Sequence, residues 1–197
     1  IFEVDGKKIS YQEIIRIIRE KNPSEFLSTL EFFPEEGKYH LDGHLICKFS
    51  CSPSETKRLN GVCPVCGKQL LRGVLHRVDD LAVRPLGFTP EGVVPYQNLV
   101  PLEEVIADTL GVGVASKKVQ DMYEHIVAQT TEFNVLLNLS EADLVPLLGK
   151  STGIIAAIMR TRQGAVHITP GYDGQYGEVH IFSTDERAHV LKRPEQK

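Results

Sequence analysis

Residues 40–68 read HLDGHLICKFSCSPSETKRLNGVCPVCGK, and this stretch holds all four cysteines and two of the seven histidines of the 197-residue chain. Within it, Cys63-Pro64-Val65-Cys66 puts two residues between thiols, with Gly67 after them. That spacing lets one tight turn aim two sulfurs at one ion, and the glycine lets backbone N–H groups approach them. The upstream half allows two sets. His44 and Cys47 repeat the two-residue gap, whereas Cys47 and Cys51 leave the looser gap of three. Cys51 also stands just before Ser52, where a residue preceding a helix cap packs inward as an apolar staple. The expected metal ligands are His44, Cys47, Cys63 and Cys66, with Cys51 as the alternative to His44 and His40 as a weaker candidate.

Four protein ligands close a tetrahedron and leave no position for a reactive water, so the expected Zn2+ is structural. A short segment with few large apolar residues would take its folding energy from that ion. Disulfides, the other reading of clustered cysteines, suit secreted chains. No basic-then-apolar leader is visible, so a cytoplasmic protein is expected. Ile1 is not an initiator methionine, which points to a fragment or a processed product.

Upstream, FEVDGKKISYQEIIRIIRE (2–20) reads as a strand over 2–4, an Asp5-Gly6 turn and a helix. Ser10 and Glu13 form a capping box, and Ile14, Ile15, Ile17 and Ile18 supply the apolar side. Ser52 and Glu55 form a second box, with Pro53 at the first helical position of a short helix over 53–59. Downstream, RPLGFTPEGVVPYQNLV (84–100) carries three prolines and two glycines and reads as an extended linker. Helices follow over 101–110, 116–129, 141–148 and 154–162, with Ser116 and Ser140 as N-caps and Gly111 and Gly164 as stops. GAVHITPGYDGQYGEVHIF (164–182) reads as a β-hairpin with a long loop.

Apolar residues at 42% and charged residues at 24% place the chain among ordinary globular proteins. Its apolar runs fall far short of the ~20 residues that span a bilayer, so no membrane partner is expected. A net charge of −4 argues against a basic coat of the kind used for indiscriminate nucleic-acid binding, and leaves room for a local phosphate-binding face.

One such face is written at Gly111-Val112-Gly113. A Gly-apolar-Gly turn between helices can offer N–H groups to a phosphate, and Lys117 and Lys118 add charge at the next helix N-terminus. The same glycines also serve as a plain helix stop and connector. LLGKSTG (147–153) mimics a phosphate loop, but the required first glycine is Leu144 and no strand precedes it. In PGYDGQYG (170–177), Tyr172 and Tyr176 could stack on bases and Asp173 could accept from a base edge. The structural alternative is an Asx-turn with tyrosines sealing a small core. No Ser-His-Asp order, paired catalytic carboxylates or His-x-His cluster is recognisable.

EFFPEEGKYHLDGH (31–44), GVCPVCGKQLLRGVLHRVDDLA (61–82), VPLEEVIADTLGVGVASKKV (100–119) and ITPGYDGQYGEV (168–179) together resemble the C-terminal part of the endonuclease Q family. The resemblance implies DNA-repair nucleases that carry an N-terminal PHP-type metallophosphoesterase domain. They nick on the 5′ side of a deaminated base (uracil, hypoxanthine, xanthine) or an abasic site. The family's catalytic ions sit on His and Asp/Glu clusters of the PHP domain, which are not recognisable in this chain. The chain then looks like the DNA-holding, zinc-binding and helical portion, with damaged DNA and the PHP domain as partners. The family pattern keeps a histidine and a cysteine at the positions of His44 and Cys47, but no regular cysteine at that of Cys51. The tail after Phe182 carries no clear sliding-clamp-binding motif.

The expected architecture is α+β: a zinc-ribbon-like module, a helical region with a helix-hairpin-helix-like turn, and a C-terminal β-hairpin. Its parts are a strand-helix segment (1–30), a zinc-binding module (31–83), a linker (84–100), a helical DNA-binding region (101–164), and the hairpin with a tail (165–197). The competing expectation is a non-enzymatic zinc-ribbon module that docks proteins.

Overall fold

The N-terminal strand-and-helix pattern folds much as its residues dictate. The computed structural model describes residues 1–4, 6, 9–149 and 151–192, so Asp5 of the expected turn and Lys150 lie outside the described residues. The expected strand is reduced to one antiparallel bridge, Phe2 to Phe26, whose rings meet edge to face at 4.9 Å. In α1 (Tyr11–Glu20), the Ser10 hydroxyl caps the Glu13 N–H at 3.2 Å. Of its four isoleucines, Ile17 is fully buried and Ile18 is 42% exposed.

β1 (Thr29–Glu31) leads into the metal-bearing half. There β2 (Asp42–His44) and β3 (Phe49–Cys51) form an antiparallel pair with Asp42 opposite Cys51 and His44 opposite Phe49. α2 (Pro53–Arg58) follows, capped by Ser52 on the Glu55 N–H. An unexpected helix, α3 (Val74–Leu81), starts at Gly73. The segment expected as a linker turns at Gly87 and Gly92, both at positive φ, and its end forms β4 (Tyr96–Asn98), which pairs in parallel with β1, Thr29 opposite Tyr96. Parallel neighbours need a long crossover. Here the crossover is the whole metal-bearing segment.

The main core lies in the second half. α4 (Leu102–Leu110), α5 (Lys117–Val127), α6 (Glu141–Leu148) and α7 (Thr152–Arg162) match the expected helices within a few residues, and a π-helical turn (Asn134–Asn138) that was not expected lies between α5 and α6. Ile106, Val119, Ile126, Val135, Leu144, Ile154 and Ile158 are all buried at its centre. α6 carries a full capping box between Ser140 and Asp143. Arg162, in the last turn of α7, donates to the carbonyls of Val135 and Leu136 at 2.6 and 2.8 Å, capping the π-helical turn.

β5 (His167–Thr169) and β6 (Glu178–His180) form the expected antiparallel hairpin, and Ile181 and Phe182 then enter the core. Where a tail was expected, α8 (Thr184–Lys192) packs on α4 and α7. Asp108 of α4 ties these parts together. It accepts from Arg187 at 2.6 Å, His180 at 3.0 Å and the Ile181 N–H at 2.9 Å. No helix among the described residues is long and apolar enough to cross a membrane.

Glu186 fastens the start of α8. The Ser183 N–H first, then the His167 side chain, hold its carboxyl down at about 2 against an ordinary 4.5. A carboxyl depressed on folding contributes stability that is intact above its unfolded value and disappears as pH falls through the folded one. Thermal midpoints of the wild type should therefore drop between about pH 4.5 and 2 more steeply than those of Glu186→Gln. Parallel curves for the two proteins would contradict this assignment.

Candidate metal centre and nucleic-acid interface

The β2–β3 hairpin builds one wall of the cluster. His44 ends β2, a 3-10 turn (Leu45–Cys47) lifts Cys47 beside it, and Lys48 reverses the chain with φ 50°. The second wall is the Cys63–Cys66 turn, closed by Gly67 at φ 72° and by the Gly67 N–H donating to the Cys63 carbonyl at 2.9 Å. The donor atoms of His44, Cys47, Cys63 and Cys66 all lie within 4.8 Å of one another. Cys66 Sγ and His44 Nδ1 are 3.4 Å apart. A zinc ion with ~2.3 Å bonds to sulfur needs tetrahedral edges of about 3.8 Å, which this grouping accommodates. Three sulfurs and one imidazole are a donor set suited to such an ion.

Cys51 takes a different place. Its Sγ lies 3.2 Å from the Thr56 hydroxyl, and the side chain packs with Cys63 and Leu70 in a small second core. His40, half-buried, does not join the group.

The protein environment already separates the thiols. Hydrogen bonding with Cys66, then burial, pushes the Cys47 thiol up to about 11. Burial opposes ionisation of Cys63, yet the N–H groups of Val65 and Cys66 outweigh it and bring that thiol down to about 7. An ion must displace these protons, so its uptake weakens as pH falls.

The glycine turn lies apart from these ligands in sequence, between α4 and α5. Gly111 ends α4 at φ 66°, and residues 111–115, Lys117 and Lys118 are exposed. Among the described residues, no protein acceptor is found for the N–H groups of Gly113, Val114 and Ala115. A Cβ at Gly113 would meet nothing within 4 Å, so the turn stands open. Free donors, a helix N-terminus and two lysines thus converge on one surface, an arrangement able to hold a phosphate.

The tyrosine loop is brought to the metal-bearing half. Tyr172 is half-buried over Gly43, where a Cβ would come within 2.4 Å of its ring. Asp173 accepts the Leu45 N–H at 2.6 Å. Tyr176 is 68% exposed, with the Lys38 ammonium 5.6 Å from its ring centre and 5.5 Å from that of Tyr39. Lys38 and Tyr39 were not anticipated from the sequence, nor was a buried pair between Asp42 and His76. No spacing marked these residues.

Residues 101–165 match the family model described as the MJ0043 C-terminal domain. The chain is 30% identical over 177 residues to uncharacterized protein MJ0043 of Methanocaldococcus jannaschii, covering 89% of this chain and 22% of that protein. Two solved structures resemble it in three dimensions. One is the lesion-specific endonuclease PfuEndoQ from Pyrococcus furiosus, at TM-score 0.78 and 29% identity over 98% of this chain. The other is endonuclease Q in complex with a 27-mer duplex substrate bearing an abasic lesion at the active site, at TM-score 0.73 and 29% identity over 97% of this chain. The chain spans 46% of the length of each of these two. The resemblance read in the sequence therefore extends over nearly the whole chain.

Proposed function

We propose, from the likeness to endonuclease Q over 98% of the chain, that this is the DNA-binding and lesion-recognition portion of a repair endonuclease. In this reading, residues 31–83 form a zinc-braced module, 84–100 connect it, and 101–164 hold DNA. The enzyme nicks 5′ of a deaminated base or abasic site, with the phosphodiester chemistry in a PHP-type domain outside this chain. The observation that carries the reading is the overlay on a structure solved with lesion-bearing duplex DNA. The metal is structural, because four protein donors fill a tetrahedron and leave no place for a reactive water. Zn2+ is the ion that this sulfur-rich set suits.

Gly111, Gly113, Lys117 and Lys118 would contact phosphates, contributing affinity without base preference. Tyr172, Asp173 and Tyr176 would face the lesion side. A salt titration of binding to duplex DNA with one abasic site tests this. Affinity should fall steeply with salt, and Lys117→Ala should reduce the logarithmic slope by about 0.9. Cleavage by this chain alone would overturn the placement of the chemistry elsewhere.

A second reading, a non-enzymatic protein-docking zinc ribbon, is favoured by Ile46 and Val65, which stand 84% and 66% exposed within the two metal-binding turns. DNA binding that is absent or insensitive to salt would favour it.

A further inference from the structure

We infer that Asp173 is a positioning residue for the metal centre, so that ion binding and docking of the tyrosine loop are one linked event. This rests on the metal reading above and extends it to a residue 128 positions from its backbone partner.

The loop tip is a two-residue turn. Tyr172 and Gln175 exchange backbone bonds at 3.0 and 2.8 Å, and both central residues, Asp173 and Gly174, have positive φ, 43° and 92°. Asp-Gly is a sequence that favours this turn. The turn holds the Asp173 carboxylate against the Leu45 N–H, the first donor of the 3-10 turn that ends in Cys47. Such a leading N–H has no partner inside its own turn, and His44, at the cap position, supplies none through its side chain. The bonded N–H belongs to the peptide joining His44 to Leu45. One carboxylate therefore fixes the plane from which a ligand imidazole departs and the start of the turn that carries a ligand thiol.

The loop that delivers Asp173 is laced to the same wall. The Gly171 N–H donates to the Glu35 carbonyl at 2.8 Å, Gly174 to Lys38 at 2.9 Å and Gly177 to Glu36 at 3.0 Å. Leu41 returns a bond to Gly171 at 2.9 Å. A Cβ on Gly177 would fall 2.2 Å from the Glu35 carbonyl oxygen, and one on Gly171 would fall 2.5 Å from that of Gly37. The hairpin base is meanwhile fixed in the helical core through Ile181 and Phe182. The bond at Leu45 is thus a side-chain link from the helical half to the ligand turn, delivered on a backbone already held at both ends.

Outer partners that orient ligands typically change metal affinity about 10- to 100-fold. Linkage is reciprocal, so the ion must favour the docked loop by the factor that the loop favours the ion. Tyr172 and Tyr176 are then held more firmly in place in the metal-loaded protein than in the metal-free one.

Cobalt(II) titration of the whole chain, followed by thiolate and ligand-field absorption, tests this together with hydrogen exchange before and after chelation. Asp173→Gly keeps the positive-φ turn and removes the acceptor, so its cobalt affinity should fall about 10-fold or more. Asp173→Asn keeps an acceptor oxygen and should recover most of the loss, which a merely disrupted loop would not show. Chelation should raise exchange at residues 170–177 as well as 43–47. If wild type binds tetrahedral cobalt while Asp173→Gly binds equally well and chelation leaves 170–177 protected, the linkage is refuted and the metal reading survives. If wild type shows no thiolate-bound cobalt, both fall.

Discussion

Substituting Cys63 by serine is expected to abolish tetrahedral metal binding and to unfold the hairpin and turn around it, leaving the helical core folded. Cys63 is 1% exposed and shares its small core only with Cys51, Leu70 and a few half-buried neighbours. So little buried apolar surface cannot hold two short strands, two turns and two short helices in place. In zinc-finger peptides a structural ion supplies about 10–16 kcal/mol of apparent binding free energy, which becomes folding free energy. Serine keeps the shape and removes the thiolate. Metal analysis should find one ion in the wild type and in Cys51→Ala, and none in Cys63→Ser. Limited proteolysis should open residues 40–83 of Cys63→Ser alone, with the helical far-ultraviolet signal retained. A full complement of metal in Cys63→Ser, or its loss in Cys51→Ala, would reverse the ligand assignment.

The second large effect is expected at Asp42. This side chain is completely buried, and His76 beside it is 3% exposed. One carboxylate oxygen accepts the Gly73 N–H at 2.7 Å, and the other meets His76 Nδ1. The pair joins β2, which ends in His44, to the start of α3. Removing the carboxylate leaves the buried imidazole and the Gly73 N–H without their acceptor, each at a cost of about 1–3 kcal/mol. Asp42→Ala should lower the urea midpoint accordingly. Asp42→Ala combined with His76→Leu should recover part of the loss, because the second substitution removes the stranded imidazole. Additive losses in the double variant would mean that the two side chains act independently. Gly73 allows no easy adjustment, since a Cβ there would sit 2.4 Å from the Leu41 carbonyl oxygen.

Much of this was legible in the sequence because the signals are local. The helices of the second half announce themselves by caps and spacing, and the two-residue gaps in 44–47 and 63–66 match the cluster that forms. What escaped lacks a local mark. α3 begins at a glycine without a side-chain cap and leaves Val74, Val78 and Leu81 exposed, so no buried apolar stripe advertises it. α8 is polar and held by ion pairs to residues far away in sequence. β4 sits among prolines and gains its strand character only from pairing with residues some 67 positions earlier. Asp173 reads as a loop residue free to meet a base, and its anchoring to Leu45 depends on contacts that no window of sequence contains.

The bond between Asp173 and Leu45 also sets a schedule. Chains emerge from the ribosome at about 5–20 residues per second, so the carboxylate arrives roughly 6–26 s after the amide that it must meet. All four cysteines are synthesised well before that moment. Through the interval the nascent chain can load its ion only into an unbuttressed site, and the tyrosine loop then locks in what the earlier hairpin and turn have captured.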